Sequence, residues 1–236
     1  MKKTIVILIL LLSSNIKAQV THMLGFTVGV NKPLGKFAKQ GDSSTGYALG
    51  GLAYTVNYDY VSHKNNFGGF FTFSNQSFDF DADNYTSTDE PDLTRSSYSG
   101  FRYNIKSINY GFLYIINKNS KVSFIPKVGA GTSFSRATSL DAKYLFPGNS
   151  ITLNETVKAS SAFNLNFGLD LTFRKSTESQ LSYFIKMFWQ TGSYEAEHTL
   201  TTKLNGQLFD KTQNTYNQSM GFYSYSIGAR YILKHK

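Results

Sequence analysis

The feature that most restricts the fold of this chain is a two-residue alternation of side chains, which is clearest at residues 163–174. Every odd position in this segment is Phe or Leu, and every even position is Asn, Gly, Asp, Thr or Arg. Successive side chains of a β-strand point to opposite faces of the sheet, so a period of two indicates a strand. One face of this strand is therefore apolar and the other is small or polar.

The same alternation predicts seven further strands, which gives eight in total. These strands cover residues 22–30, 47–61, 66–78, 101–116, 121–135, 180–192 and 219–233. The predicted connections alternate between long segments, at 31–46, 79–100, 136–158 and 193–218, and short ones, at 62–65, 117–120 and 175–179. Long connections at one end and short turns at the other are typical of a transmembrane β-barrel.

The N-terminus has the layout of a secretory signal peptide. Lys2 and Lys3 precede an apolar run at residues 4–12, and a polar stretch leads to the small residue Ala18. The apolar run is too short to span a bilayer as a helix, which argues against the alternative of an N-terminal membrane anchor. We therefore predict a signal peptide at 1–18, cleaved near Ala18, and a barrel domain at 19–236. The absence of Cys excludes a lipid-anchored lipoprotein and a disulfide framework.

Composition narrows the class of protein further. The formal charge of +9 falls to +6 when Lys2, Lys3 and Lys17 leave with the signal peptide, and the remaining basic residues are scattered. With export predicted, this pattern gives no support for nucleic-acid binding. The 20 Phe, 16 Tyr and 19 Gly favour β-structure. No later stretch is long enough for a transmembrane helix, so the chain can cross a membrane only as a closed barrel.

A soluble up-and-down barrel of the lipocalin type also shows two-residue alternation, so residue size has to separate the two folds. An eight-stranded barrel has an interior barely wide enough for side chains. Small and polar residues fit such an interior better than a full set of Phe and Tyr. We therefore predict an all-β, eight-stranded antiparallel up-and-down transmembrane β-barrel with four long extracellular loops and three short periplasmic turns. Its apolar parity includes residues suited to interfacial aromatic girdles, namely Tyr54, Tyr58, Tyr60, Tyr110, Tyr114, Tyr223, Tyr225, Tyr231 and Trp189.

The pattern resembles the small outer-membrane β-barrel domain family of Gram-negative bacteria, loosely called OmpA-like or porin-like. The residues that carry this resemblance are the signal-peptide end at 16–19, the segment NKPLGKF at 31–37, the Gly-rich segment at 46–51 and the closing strand at 223–233. The resemblance extends over the whole mature chain and implies a location in the cell outer membrane. It also implies contact with outer-membrane lipid, lipopolysaccharide and the outer-membrane insertion machinery.

The polar parity places charged side chains in the predicted lumen, and isolated buried charges are costly. These residues are Asp59, Lys127, Asp170, Arg174, Lys186 and Arg230. We expect a network of ion pairs that plugs the barrel, because eight strands leave little room for water. The alternative is a small anion-preferring pore or a proton path.

The predicted loop at 79–100 contains a candidate cation site. Asp79, Asp81, Asp83 and Glu90 fall at positions 1, 3, 5 and 12, which is the acidic spacing of an EF-hand calcium loop. The flanking segments are predicted strands rather than helices, so an ordinary solvated strand extension explains the same residues. A looser alternative is Ca²⁺ or Mg²⁺ that bridges this loop to lipopolysaccharide phosphates. We expect no other cofactor.

Catalysis has little support in the sequence, and we expect no enzyme. None of the four histidines lies in a recognisable constellation, although His198 is close in sequence to Glu195 and Glu197 and keeps a rim-active hydrolase as an alternative. The long loops are rich in Ser, Thr, Asn, Asp and Tyr, which suits a protein partner at the cell surface and also plain solvation. The leading expectation is a structural or surface-interaction barrel. An accessory barrel of a secretion machinery is a further alternative.

Overall fold

The computed structural model of the protein describes residues 20–40, 46–62, 64–85, 94–99, 102–136, 140–158 and 160–233. The predicted signal peptide, His63, Glu90 and His235 lie outside these residues. The described residues form a short 3₁₀ helix at Gly35–Phe37, a one-turn helix α1 at Ala82–Tyr85 and eleven β-strands. The strands are β1 (Val20–Pro33), β2 (Gly51–Ser62), β3 (Phe67–Asp79), β4 (Thr94–Ser99), β5 (Arg102–Tyr114), β6 (Val122–Arg136), β7 (Leu140–Phe146), β8 (Asn149–Val157), β9 (Ser160–Arg174), β10 (Leu181–Leu204) and β11 (Gln207–Leu233).

Eight of these strands form a closed antiparallel ring. The order is β11-β1-β2-β3-β5-β6-β9-β10, and pairing between β10 and β11 closes it. Each ring strand corresponds to one of the eight strands predicted from the alternation, so the eight-stranded up-and-down barrel is confirmed. The connections between β2 and β3, β5 and β6, and β9 and β10 are the three short turns expected at the periplasmic end.

The long connections differ from the prediction, because much of their length is β-structure rather than loop. The segment at 136–158 contains the hairpin β7–β8, and the segment at 193–218 continues β10 and β11, which are 24 and 27 residues long. Above the ring, β4, β7 and β8 join the upper parts of β10 and β11 in a sheet of order β11-β10-β8-β7-β4. We call this five-stranded sheet the extracellular wall. At about 3.3 Å per residue, residues 192–204 of β10 extend roughly 40 Å.

Two tight turns at the top of the wall explain why these segments are hairpins. Asn205 and Gly206 have φ values of 51° and 83°, which is the left-handed backbone that a two-residue hairpin turn requires. Gly148 has a φ of 78° between β7 and β8. The Asn205 amide nitrogen donates to the Ser150 carbonyl at 2.9 Å, so the two hairpin turns are joined at the tip of the wall.

The outward-facing side chains of the ring form an apolar belt, as the alternation predicted. On β9, Phe163, Leu165, Phe167 and Phe173 are exposed, whereas Asn164, Asn166 and Asp170 on the other parity are buried. The length of this exposed stretch matches the roughly 9–11 residues that a tilted strand needs to cross a bilayer. No helix among the described residues is long and apolar enough to cross a membrane.

The interior of the barrel has an apolar layer at each end. The lower layer, which we call the floor, comprises Met23, Val61, Phe70, Leu113, Ile115 and Ile125, with Ile232 packed against it. The upper layer, which we call the roof, includes Phe37, Phe78, Ile105, Met220 and Phe222. Polar and charged side chains occupy the lumen between the floor and the roof.

Candidate functional site

Four charged side chains from four different strands meet in the lumen above the floor. The Lys127 ammonium lies 2.8 Å from one Asp59 oxygen and 3.0 Å from Asp170. The Arg230 guanidinium lies 3.1 Å from Asp59 and also pairs with Asp170. All four side chains are at most 3% exposed. Two carboxylates and two cations thus form a closed ring of ion pairs, which we call the charge cluster.

Aromatic rings lie against both cations of the charge cluster. The Arg230 guanidinium carbon is 4.3 Å from the centre of the Phe184 ring, and the Lys127 nitrogen is 5.6 Å from that of Phe70. A side chain at Gly129 would collide with the Phe70 ring, because its Cβ would lie 2.8 Å away. Small residues on the polar parity therefore make room for the few large side chains that point inward.

Lys186 adds a third cation just above the charge cluster. Its ammonium donates to Asn57 Oδ1 at 2.7 Å and lies 5.0 Å from the centre of the Phe188 ring. On the sheet, Lys186 is the direct cross-strand neighbour of Asp170. The lumen therefore holds three cations against two carboxylates, and the partners of the third cation include an amide and an aromatic ring.

Uncharged polar side chains fill the next level of the lumen. Gln190 donates to Ser133 at 2.9 Å and to Ser107 at 3.2 Å, and Asn164 donates to Ser133 at 2.9 Å. The gap beside them, lined by Thr55, Thr72 and Ser226 among others, is too narrow to take a water molecule. With the floor below and the roof above, these layers leave the lumen filled at every level described.

Arg174, which the alternation also places in the lumen, does not join the charge cluster. It is the last residue of β9 and lies at the periplasmic end, where its Nη2 donates to the Lys118 carbonyl at 2.5 Å. The alternation assigned its face correctly, but only its height in the barrel decides which groups it contacts. Arg174 therefore ties two periplasmic turns together.

The described residues of the candidate cation site, Asp79, Asp81 and Asp83, have partners within the protein. Arg102 contacts Asp79 at 2.7 Å, and Asp81 accepts hydrogen bonds from the backbone and side chain of Asn84 in α1. The side-chain hydrogen bond from Asn84 lowers the pKa of Asp81, so this carboxyl is ionised. Asp83 lies in α1 and Glu90 lies outside the described residues. No group of three acidic or His side chains converges within the described ranges, and the calcium site stays a prediction.

His198 pairs with a carboxylate that the sequence reasoning missed. Its Nδ1 lies 2.5 Å from Glu155 Oε1, and the Tyr85 hydroxyl donates to Glu155 Oε2 at 2.5 Å. Glu195 and Glu197, its neighbours in sequence, lie on the opposite face of β10, because side chains alternate between the two faces of a strand. Glu197 points to the outer face and pairs with Lys158. Sequence reasoning missed Glu155 because it treated residues 136–158 as a loop without facing directions.

A chain of hydrogen bonds connects the wall to the first long connection. The Tyr194 hydroxyl donates to Gln218 at 2.7 Å, Gln218 donates to the Tyr103 hydroxyl at 3.1 Å, and Tyr103 donates to the Gly46 carbonyl at 2.9 Å. Burial raises the pKa of Tyr194 to about 12. Burial, followed by the Glu155 carboxylate, also raises the pKa of Tyr85. These phenols therefore remain neutral hydrogen-bond donors under physiological conditions.

One edge of the wall is open. From Phe222 to Leu233, β11 pairs with β1 on one side. On its other side it pairs with β10, whose first paired residue is Leu181. In the part of the chain that the structure describes, residues 207–217 of β11 pair with β10 alone. Their side chains are exposed except for the half-buried Tyr216. We call residues 207–217 the free edge.

The closed ring and the lipid-facing belt together define a transmembrane β-barrel of the outer-membrane type, with a protruding sheet above the membrane. No protein-family model and no curated protein matches the sequence. Among solved structures, the chain is similar to a major outer membrane protein from Thermus thermophilus, with a TM-score of 0.52 and 12% identity. That match covers 91% of this chain and 99% of the Thermus protein, and it supports the fold.

Two further solved structures resemble the chain less closely. Neisserial surface protein A matches with a TM-score of 0.42 and 10% identity, over 89% of this chain and 96% of its own. Ail, the attachment invasion locus protein of Yersinia pestis, matches with a TM-score of 0.38 and 15% identity, over 92% of this chain and 100% of its own. The assignment as an outer-membrane β-barrel rests on the Thermus protein and on the ring itself.

Proposed function

We propose that this protein is a surface-interaction barrel of the outer membrane, and that its free edge binds an extended segment of a protein partner. The observation that carries the proposal is that, within the described residues, 207–217 pair on one side only and are exposed apart from the half-buried Tyr216. An unpaired strand presents a row of N–H and C=O groups, and a second strand can add to it. The filled lumen has no part in this function.

The sequence of the free edge favours strand addition over most of its length. Proteins commonly protect open edges with charges, proline or β-bulges. The upper end is protected by Asp210, Lys211 and a β-bulge opposite residues 202–203. Below them, residues 212–217 read Thr-Gln-Asn-Thr-Tyr-Asn and carry neither charge nor proline. The unprotected stretch is long enough for about six residues of a partner strand.

Apolar side chains at the tip of the wall add a contact surface next to the free edge. Phe209 is 73% exposed and Leu208 is 64% exposed, and Leu145 on β7 is also exposed. Exposed apolar groups above a membrane, where no lipid covers them, mark sites of interaction. A partner segment with a hydrophobic residue at one end would match this surface.

The proposal can be tested with a library of random peptides panned on the protein in lipid nanodiscs. Amide hydrogen exchange should show that selected peptides protect residues 212–217 and leave the ring unchanged. If no selected peptide binds, or if bound peptides leave the exchange of these amides unaltered, the proposal fails.

Two proline variants provide a matched control, because neighbouring residues of a strand direct their N–H groups to opposite sides. Of the variants Gln213→Pro and Asn214→Pro, one removes a backbone N–H from the free edge. The other removes the N–H of a backbone hydrogen bond to β10. The variant that preserves the exchange protection of β10 should abolish peptide binding. Peptide binding that survives in this variant would contradict strand addition.

The pore alternative has a separate test. We expect the floor, the charge cluster and the roof to block the lumen, so the protein in a planar lipid bilayer should show no steady open current steps. Steady steps would overturn the blocked lumen but would leave the free edge untouched.

A further inference from the structure

The periplasmic end of the barrel carries an excess of positive charge on its three turns. Within the described residues, these turns and the strand ends beside them hold five cations and a single carboxylate, that of Glu178. The five cations are Lys64, Lys118, Lys121, Arg174 and Lys175. We call this group the cationic rim. It carries a net charge of +4, the five cations less one carboxylate.

Hydrogen bonds hold the three turns together as one continuous surface. The Lys118 ammonium donates to the Ser62 carbonyl at 2.8 Å, which connects the second turn to the first. The Arg174 side chain donates to the Lys118 carbonyl at 2.5 Å, and its backbone N–H donates to the Lys121 carbonyl at 2.8 Å. The cationic rim therefore follows the ends of six consecutive ring strands, from β2 to β10.

Three cations of the rim remain available to a ligand. Lys118 and Arg174 are partly buried and hold carbonyl groups, whereas Lys64, Lys121 and Lys175 are exposed. No side-chain partner for these three ammonium groups occurs among the described residues. Three long, flexible side chains thus present unpaired positive charge on one face.

The position of these lysines along the strands indicates what they meet. Lys121 directly precedes the exposed Val122, Lys175 follows the exposed Phe173 by two residues, and Lys64 lies in the turn before the exposed Phe67. They therefore lie just beyond the apolar belt, at the depth of lipid headgroups. Lysines at this depth extend their ammonium groups toward headgroup phosphates while their methylenes remain on apolar surface.

The opposite end of the barrel lacks this one-sided charge. Above the belt, Arg102 pairs with Asp79 and Lys158 pairs with Glu197. Carboxylates are interspersed with the cations there, whereas the periplasmic turns carry a single carboxylate among the described residues.

We propose that the cationic rim binds anionic phospholipid headgroups of the periplasmic leaflet, through Lys64, Lys121 and Lys175. The recognised chemistry is a headgroup with net negative charge, such as phosphatidylglycerol, in preference to a zwitterionic one such as phosphatidylcholine. This interaction holds the barrel at a fixed depth in the bilayer. It is independent of the free edge, which lies at the other end of the molecule.

The test measures the lipids that contact the folded protein in bilayers, by electron spin resonance of spin-labelled phosphatidylglycerol and phosphatidylcholine. The wild-type protein should prefer phosphatidylglycerol by about fivefold, the effect of one lysine near an anionic surface. The triple variant Lys64→Gln, Lys121→Gln and Lys175→Gln should lose this preference. Heat-modifiable gel migration shows whether the triple variant is folded. If it is not folded, the single variant Lys175→Gln takes its place and should lose part of the preference.

A control variant removes the same charge from the extracellular wall, through Lys143→Gln, Lys203→Gln and Lys211→Gln. It should keep the wild-type preference for phosphatidylglycerol. Salt at about 0.5 M should abolish the preference, because it screens exposed charges within a few ångströms. The proposal is overturned if the rim variants retain the preference, if the wall control loses it equally, or if it survives high salt.

Discussion

The lower and upper parts of β11 differ in the number of strands that pair with them. From Phe222 downward, β11 lies between β1 and β10, and its outward side chains belong to the lipid-facing belt. In the described part of the chain, residues 207–217 have β10 as their one neighbouring strand, and they lie above the membrane. One strand thus belongs both to the closed ring, where its backbone groups are paired as a membrane requires, and to an open edge, where they are available for binding.

The two regions also differ in what holds them together. The ring closes around the charge cluster and two apolar layers, and every ring strand has two neighbours. The wall is held by the pairing of its own strands and by side-chain contacts at its base, among them those of Glu155 with Tyr85 and His198. We therefore expect substitutions in the lumen to destabilise the whole barrel, and substitutions in the wall to act locally.

The largest effect is expected for Asp170→Ala, which leaves Arg230 and Lys127 with a single shared carboxylate in a dry interior. Removing one partner of a buried ion pair costs about 3–5 kcal/mol. The free energy of unfolding by urea, measured in lipid vesicles, should fall by that amount. Asp79→Ala is the matched control, since its pair with Arg102 is more than half exposed and contributes about 0–1 kcal/mol. Equal losses of unfolding free energy in the two variants would contradict a stabilising role for the charge cluster.

A smaller effect is expected for Phe37→Ala in the roof. Phe37 is fully buried, and its ring packs edge-on against Phe78 and Tyr103. Its removal should lower the free energy of unfolding by about 3 kcal/mol and should increase amide hydrogen exchange at residues 34–40. The exposed Phe209 provides the comparison, because Phe209→Ala should change stability by less than about 0.5 kcal/mol. The planar-bilayer current should stay at zero in both variants, since the charge cluster still blocks the lumen.

At the tip of the wall, Gly206→Ala should lower the stability of the β10–β11 hairpin by about 1–2 kcal/mol, because an L-residue in the left-handed conformation is strained. The increase in hydrogen exchange should be confined to residues near 200–210, with the ring unchanged. Gly221→Ala is the control, because its φ is not positive and its Cβ would have its nearest neighbour at 3.8 Å. Loosening of the ring by Gly206→Ala would contradict the separation between the two regions.

The last effect, which is confined to alkaline pH, is expected from the ionisation of Tyr194. Its folded-state pKa of about 12 exceeds the ordinary value of 10.0. The stability that depends on its neutral form is therefore complete below pH 10 and is lost as pH rises toward 12, by at most about 1.4 kcal/mol per pH unit. Urea unfolding between pH 9 and 12 should show a shallower decline for Tyr194→Phe. An identical decline would mean that Tyr194 does not contribute.

Some of the site could be read from the sequence and some could not. Alternation assigns Asp59, Lys127, Asp170, Lys186 and Arg230 to the inner face, and all five are buried in the structure, because a strand's period is independent of its neighbours. It could not assign Arg174 to the periplasmic turns, because contact depends on height in the barrel. The Asn205–Gly206 pair is a local hairpin signal that marks the β10–β11 turn, but the alternation predicts one long loop at residues 193–218.

The sequence by itself determined the eight ring strands, the lipid-facing side of each, and the three short turns. These features follow from local chemistry, since side-chain parity and turn residues act within a few positions. Only the tertiary structure decided that Lys127 and Arg230 share two carboxylates, that Glu155 meets His198, and that β11 has a free edge. Each of these depends on register and on which strands are neighbours, and those are set by packing among segments far apart in the chain.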